Sequence, residues 1–392
     1  MKSCKIHFLP ALAGDCFVLE FISRECIIVD CGYKSTFKKE LKPLLLELKN
    51  KGCKVTLLLI THTDKDHIEG AIEFIKDNGN STSPNIIQVE SIWYNGIINT
   101  LSFNPEIEKR SHDSSSIQQQ KTNHLLADLL SQLPDRSGDI SANNCLSFEE
   151  ICFRNGYSIN SCFSDRIVQR TYATYSEKLN SAIRIGECMI TVLSPSIDEI
   201  KKLSNALHYE MLKTLGKEYA INNGSKLLKL CELFLELKTD KVNVEENISS
   251  NSALIENWIG TSKLSEMNAV NKASIVIEIQ FGELKMLFTG DSESDLWYKL
   301  LDKEYDVIKI SHHGTTKPNI KMLESTKTNI ALISTNGSSN NRHPEKETLA
   351  RIIMAGYRNI YFNYDHPFKS ILIDNQADYG YSVFFKQESI EL

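Results

Sequence analysis

The apolar run Val55-Thr56-Leu57-Leu58-Leu59-Ile60 leads directly into Thr61-His62-Thr63-Asp64-Lys65-Asp66-His67. No other stretch restricts the fold so tightly. A continuous apolar strand is buried on both faces, which requires layers above and below it. Four side chains of metal-ligand type, His62, Asp64, Asp66 and His67, then stand at its carboxyl end. Strand alternation sends His62, Asp64 and Asp66 to one side, and the following turn lets His67 join them. Imidazole and carboxylate suit zinc, manganese or iron. A solvated turn with Asp64 or Asp66 as a helix cap leaves both histidines unexplained.

The surroundings read as layered α/β. Residues 4–9, 16–22 and 26–30 are expected strands, the first two separated by a turn at Ala13-Gly14-Asp15 and the third ending at Asp30. Residues 36–50 carry Phe37, Leu41, Leu44, Leu45 and Leu48 at helical spacing, and a second helix covers 68–76. Further on, strand signals return at 183–193. Ser196 and Glu199 form a capping box that opens a helix with Ile200, Leu203, Leu207, Met211 and Leu215 on one side. A helix spans about 225–238; this helical pair reads as either a lid or a packed decoration. A hairpin turns at Gly282-Glu283. It is followed by a helix (292–302), a strand (306–311), a helix (318–325), a strand (329–334), a helix (345–355), a strand (358–362) and a strand pair near 369–386. Residues 99–145 are polar, with SHDSSSIQQQ at 111–120, and read as inserted chain that buries little apolar area. The chain is thus expected to be one domain over 1–392, with insertions at about 99–180 and 196–265.

Composition narrows the class. With 41% hydrophobic and 24% charged residues, the chain has ordinary globular composition. Its net charge of −6 argues against a polybasic nucleic-acid binder, though not against a local basic patch. No run reaches the ~18 apolar residues of a membrane helix, so no membrane association is expected. The ten cysteines form no C-x-x-C pair and several lie in apolar runs. They read as buried free thiols in a reducing cytoplasm. The N-terminal stretch reads as a strand rather than a targeting segment.

Three further constellations follow apolar strands: Thr289-Gly290-Asp291, Ser311-His312-His313-Gly314 and Arg342-His343-Pro344. Taken singly each reads as a turn, a surface pair or a helix start. Taken in order with AGDCFVLEF, IIVDCG and ITHTDKDHIEGA, then NKASI, MLFTGD, DVIKISHHGT, ALISTNG and RHP, they resemble the metallo-β-lactamase fold superfamily. The likeness is to the hydrolase domain of the competence DNA-uptake protein ComEC and its free-standing relatives, over most of the chain outside the insertions.

That resemblance implies a four-layer αβ/βα sandwich with one or two divalent ions, zinc or manganese, where its sheets meet. His62 and Asp64 would serve a first ion; Asp66, His67 and one histidine of the 312–313 pair, His313 in preference to His312, a second; Asp291 would bridge. Asp64 and Asp66 would also act in catalysis, with His312 contacting the phosphate or protonating the leaving group. Asp30, Ser194 and His343 would lie just behind the ligands, Asp30 orienting a histidine. Two departures stand out: Asp64 replaces the commoner His, and Ser194 stands where the superfamily usually supplies a His to the first ion.

The expected function is a metal-dependent hydrolase, a phosphodiesterase acting on a nucleotide or nucleic acid. Residues 299–351 hold nine Lys/Arg against six acids, a modest basic bias. The alternative, motivated by Ser194, is a weakly catalytic binding or regulatory module in a multi-protein system, such as one of antiviral defence, with the insertions meeting a protein partner.

Overall fold

The computed structural model describes residues 3–96, 99–100, 148–206, 254–337 and 343–392. Fourteen strands are named among them, in two sheets. The first sheet contains β1 (Cys4–Phe8), β2 (Cys16–Phe21), β3 (Glu25–Cys31), β4 (Lys54–Leu59), β5 (Ile92–Trp93) and β14 (Ser389–Glu391). Its order is β14-β1-β2-β3-β4-β5. The second contains β6 (Ile183–Ile185), β7 (Cys188–Ser194), β8 (Val276–Phe281), β9 (Leu284–Phe288), β10 (Glu304–Lys309), β11 (Lys327–Ile333), β12 (Asn359–Phe362) and β13 (Ser382–Phe384). These follow one another from β13 at one edge to β6 at the other. Each sheet is antiparallel on one side and parallel on the other, the change falling at β3/β4 and at β9/β10.

Strand alternation explains the layering. Along β4, Leu57 and Leu59 enter one core with Phe17, Ile277, Phe288, Val307 and Leu332, from both sheets. Leu58 and Ile60 point the other way, to Leu45, Leu48 and Phe74. On the second sheet, Leu287, Ile308 and Ile333 meet Met322, Leu349 and Ile353. Period-2 apolar strands thus make one core between the sheets and one beneath each helical layer. The helices are α1 (Lys42–Asn50), α2 (Lys65–Asn78) and α3 (Phe148–Arg154) on the first sheet. On the second they are α4 (Thr316–Ser325) and α5 (Lys346–Met354). The expected four-layer αβ/βα sandwich is therefore observed.

Three elements differ from their sequence reading. The helix expected over 36–50 contains a π turn at Phe37–Leu41. Pro43 has no N–H to donate, and the backbone N–H of Lys42 reaches Phe37 instead. Residues 292–302 form two 3₁₀ turns, Ser294–Leu296 and Tyr298–Leu300, rather than a helix. There Trp297 leaves helical geometry, fills the core and donates from Nε1 to Ser292 Oγ at 3.0 Å. Finally, the expected strand pair at 369–386 is two short helices, Lys369–Asp374 and Gln376–Tyr379, followed by β13. Leu372 sits in the core on the helical face, and the chain's last strand, β14, joins the other sheet.

Within the expected insertions, the described residues are tied to the sandwich. Phe148, Ile151 and Cys152 of α3 pack into the core beneath the first sheet. Lys178 is buried and bonds Glu278 at 2.7 Å and Asp302 at 2.9 Å on the second sheet. One limb of the expected capping box is seen, Glu199 accepting from the backbone N–H of Ser196 at 2.9 Å, while the Ser196 hydroxyl accepts from the backbone N–H of Asp198 at 3.3 Å. Leu207, Met211, Leu215, the 225–238 helix and the 111–120 stretch lie outside the described residues. Among described residues no helix is long and apolar enough to cross a membrane, and the cysteines are free thiols, buried except for Cys162.

Gly70 shows how closely α2 lies on β3: a Cβ there would stand 2.0 Å from the carbonyl oxygen of Cys31. Gly70→Ala should therefore lower unfolding stability by roughly 2 kcal/mol or more, as overpacking does. Urea unfolding of the two proteins checks this; equal midpoints would show that α2 can shift freely.

Candidate metal centre

The parallel strands β4, β9 and β10 end along one edge of the sandwich, and their following loops carry the polar motifs. Asp64 is the N-cap residue of α2, so the chain turns sharply there and brings Asp66 and His67 back over the strand end. Gly14 makes this turn fit, since a Cβ at that position would stand 2.0 Å from the carbonyl oxygen of Asp66. Asp15 N–H donates to that same oxygen at 3.1 Å.

The centre of the cluster is Oδ2 of Asp291. It lies 3.8 Å from His62 Nε2, 3.4 Å from His67 Nε2, 3.7 Å from His312 Nε2 and 3.5 Å from His313 Nε2. Asp66 Oδ2 is 3.2 Å from His313 Nε2 and 3.7 Å from His67 Nε2. Asp64 Oδ2 is 3.5 Å from His62 Nε2. All six expected ligands therefore converge, and His312 joins them.

Acceptors behind the rings fix which nitrogen faces inward. His67 donates from Nδ1 to Asp30 Oδ2 at 2.8 Å, and His313 from Nδ1 to the Ser334 carbonyl at 2.9 Å. Asp30 also accepts from the backbone N–H of Thr61 at 2.8 Å and from its hydroxyl at 2.8 Å. With its proton so engaged, Thr61 Oγ1 can accept from His62 Nδ1 at 3.0 Å. Nδ1 of each of these three rings is occupied, which aims the Nε2 lone pair at the cluster. Asp30, His312 and His313 are non-glycine residues with positive φ, at 57°, 47° and 53°. Backbone strain is concentrated where these groups are held.

Two residues escaped the sequence reading. Lys309, 1% exposed, forms an ion pair with Asp15, donates to the Gly290 carbonyl at 2.7 Å and lies 3.5 Å from Asp291 Oδ1. Asp15 in turn stands 3.5 Å from His313 Nδ1 and 3.9 Å from His67 Nδ1. The available signal was a lysine inside the apolar strand Val307-Ile308-Lys309-Ile310 and an aspartate beside Gly14. By contrast, the Ser194 hydroxyl meets Ser292 Oγ at 3.4 Å, one residue from Asp291. His343 lies with its ring centroid 5.8 Å from that of His312, its nitrogens 3.4 Å from Thr315 Oγ1. Arg342 is outside the described residues.

The electrostatics are those of a cation site. Burial works against the charged form of His67, but Asp291, Asp30 and Asp66 outweigh it and raise the ring well above its ordinary value. In His313 burial is likewise overcome by Asp291 and Asp15, to about 10. Burial opposes ionisation of Asp291 too, yet His67, His313 and His312 hold it well below the usual carboxylate range. His343 is pushed down to about 3 by burial and by His312 and His313. Nε2 of His62, His67 and His313 and Oδ1 of Asp64 are buried without a hydrogen-bond partner. Unpartnered imidazole and carboxylate atoms facing one another at these distances fit a divalent ion. The sets His62–His67–Asp291 and Asp66–His67–His313 each present their donor atoms within 4.8 Å of one another.

A family model for the metallo-β-lactamase superfamily matches residues 9–120, which span β2 to β5 and the His62–His67 motif. The two-sheet αβ/βα sandwich is consistent with that superfamily's fold. Among solved structures, the metallo-β-lactamase fold protein YhfI from Bacillus subtilis is similar at 8% identity and a TM-score of 0.39, covering 100% of this chain and 99% of that one. Tm1679, a metal-dependent hydrolase of the β-lactamase superfamily, is similar at 9% identity and a TM-score of 0.38, covering 99% and 98%. No curated protein matches.

Two outcomes are expected. Lys309→Met should destabilise the protein by roughly 3–5 kcal/mol, because it takes from buried Asp15 its principal cation; an unchanged urea midpoint would contradict this. The second concerns pH. The folded pKa values of His67 and His313 are raised, so the contribution of these two rings to stability is complete below about 6.5. It is lost as pH rises, through about 10 in the case of His313. The metal-free protein should thus weaken between pH 7 and 10. At pH 7, Mn2+ uptake should release protons as it displaces them from the rings. Calorimetry in buffers of different ionisation enthalpy reads that release, and equal heats would refute it.

Proposed function

We propose that this chain is a metal-dependent hydrolase that cleaves a phosphodiester in a nucleotide or short oligonucleotide, with zinc or manganese as its ion. The observation that carries the reading is the convergence of four imidazole Nε2 atoms on a single oxygen of Asp291, with Asp64 and Asp66 beside them. A bound divalent ion supplies Lewis acidity and a water acidified to near ~7.

The chain's own groups supply the rest. Asp30, Thr61 and the Ser334 carbonyl hold the rings in one tautomer. Asp15 and Lys309 fix Asp291 and His313 from behind. Asp66 and His312, each with about a fifth of its side chain exposed, are the cluster groups open to an incoming substrate. His343 stands next to His312 and is kept neutral.

Carboxylate-rich ligation and the ComEC-like motif order support a phosphodiester substrate. A small substrate is supported by the fate of the basic residues between 299 and 351. Lys309 is buried, Lys317 pairs with Glu293, Lys321 with Glu324 and Arg351 with Glu347. Four of the nine are thereby buried or paired, which reduces the cationic surface that a long nucleic-acid backbone could follow. Cytoplasmic location and a protein partner at the insertions belong to the same proposal.

Asp66→Ala and His67→Ala should each lower bis-p-nitrophenyl phosphate turnover by at least about 100-fold, the scale of losing a principal charge-stabilising group, while unfolding stability stays measurable. Turnover at the unsubstituted rate in either variant would sink the hydrolase reading. It would favour the binding module instead.

A further inference from the structure

We propose that Lys272 and Lys317, tied together by Glu293, form a phosphate-recognition site beside the centre, and that the chain selects substrates carrying a terminal phosphate next to the phosphodiester it cleaves. The inference rests on the phosphodiesterase reading of the same centre and names the feature by which its substrate is chosen.

The three side chains are ordered by one another. Lys272 Nζ lies 3.5 Å from Glu293 Oε2, and Lys317 Nζ lies 3.2 Å from Glu293 Oε1. Among the described residues Glu293 is the one carboxylate in ion-pair contact with either lysine. It is 5% exposed, whereas the two lysine side chains keep 26% and 25% of their surface in solvent. The carboxylate is thus the inner group and the ammonium groups are the outer ones. Each ammonium has three donors, and one from each suffices for Glu293. Two cations on one anion leave a positive charge over. A single lysine would have neutralised Glu293, so the second has no balancing task there. Because both long side chains are already fixed, an anion bridging them meets little further ordering cost.

The pair also stands where a substrate would extend. Glu293 follows Asp291 by two residues, which keeps their Cα atoms within about 7 Å. Lys317 comes four residues after His313 and five after His312, the ring of that pair that is about a fifth exposed. Lys272 precedes Ser274 by two residues, and the Ser274 hydroxyl accepts from the backbone N–H of Asp291 at 3.4 Å. The loops after β9 and β10 are laced together, His312 N–H donating to the Gly290 carbonyl at 3.3 Å and the Ser311 hydroxyl to the Ser292 carbonyl at 2.7 Å. All three groups are therefore carried by segments that also hold the centre.

The chemistry of the pair selects the ligand. Lysine ammonium is a compact point charge, without the planar fork by which arginine grips a carboxylate. Two such charges suit a tetrahedral group of high charge. A terminal phosphate carries about −1.5 to −2 near pH 7, more than the single charge of a phosphodiester link. The start of α4 is not the attraction, since Glu345 already accepts from the Thr316 N–H at 3.0 Å. One such site reads one extra phosphate, in keeping with a short substrate rather than a long backbone.

The test is equilibrium binding, with turnover read separately. The full chain, supplied with Mn2+, is titrated by calorimetry with thymidine 3′,5′-bisphosphate and with thymidine 5′-monophosphate in the same buffer. The bisphosphate should bind at least about 10-fold more tightly, the scale of one hydrogen bond between charged groups. Lys272→Met and Lys317→Met should each remove most of that preference. Each variant leaves Glu293 one lysine partner, so the fold is kept, and a ratio taken within one protein cancels any general loss. Lys321→Met, on the same helix and paired with Glu324, should keep the preference. Equal affinities in the unsubstituted protein, no binding of either compound, or a preference retained in both lysine variants would overturn the assignment. Bis-p-nitrophenyl phosphate reports on the hydrolase reading alone: turnover with equal affinities would sink only the phosphate site. An inert protein that keeps the lysine-dependent preference would uphold the site and sink only the hydrolase.

Discussion

Negative charge buried where the two sheets open governs this structure. Asp15, Asp30, Asp64 and Asp291 are almost wholly buried, and Asp66 stands at their margin. Lys309 answers two of them from the end of β10, where Ile308 and Ile310 flank it in sequence. A protein interior tolerates such a group only if each charge meets a partner. In the metal-free protein, protons on His67 and His313 provide part of that balance. A divalent cation provides it better, because Nε2 of His62, His67 and His313 and Oδ1 of Asp64 are buried in the cluster without a hydrogen-bond partner.

The sandwich makes this arrangement durable. Parallel strands β4 and β10 and the hairpin strand β9 carry their following loops to one edge, so residues far apart in sequence meet there. Apolar cores on both sides of each sheet absorb the cost of the polar cluster and of the left-handed backbone at Asp30, His312 and His313. Each such residue costs on the order of 1–3 kcal/mol, an amount that only a large, well-packed core can offset. Orientation is equally structural. Asp30 connects to His67 directly and to His62 through Thr61, so a single carboxylate fixes two rings.

Local pattern made much of this legible. Alternating apolar residues announced most strands, and helical spacing announced α1, α2, α4 and α5. The His62–His67 motif declared its own chemistry, because four ligand-type side chains at the end of a buried strand have few other uses. Where local pattern misled, a distant contact had intervened. Trp297 is drawn into the core and divides an expected helix into two 3₁₀ turns. Leu372 docks on the second sheet in a short helix, and of the segment expected as a strand pair only Ser382–Phe384 forms a strand.

The sequence by itself determined the layered α/β class and the ligand-type side chains His62, Asp64, Asp66 and His67, since these depend on periodicity and on residue chemistry at one strand end, whereas Asp291 and His313 stood out only through the order of the motifs. Tertiary structure alone decided the pairing of Asp15 with Lys309, the turn of His312 and His313 toward the same oxygen, and the seat of Ser194 beside Ser292. Those facts depend on which strand ends become neighbours and on how the chain turns at each. Strand order joins groups as far apart as residues 15 and 309, and no local pattern encodes that meeting.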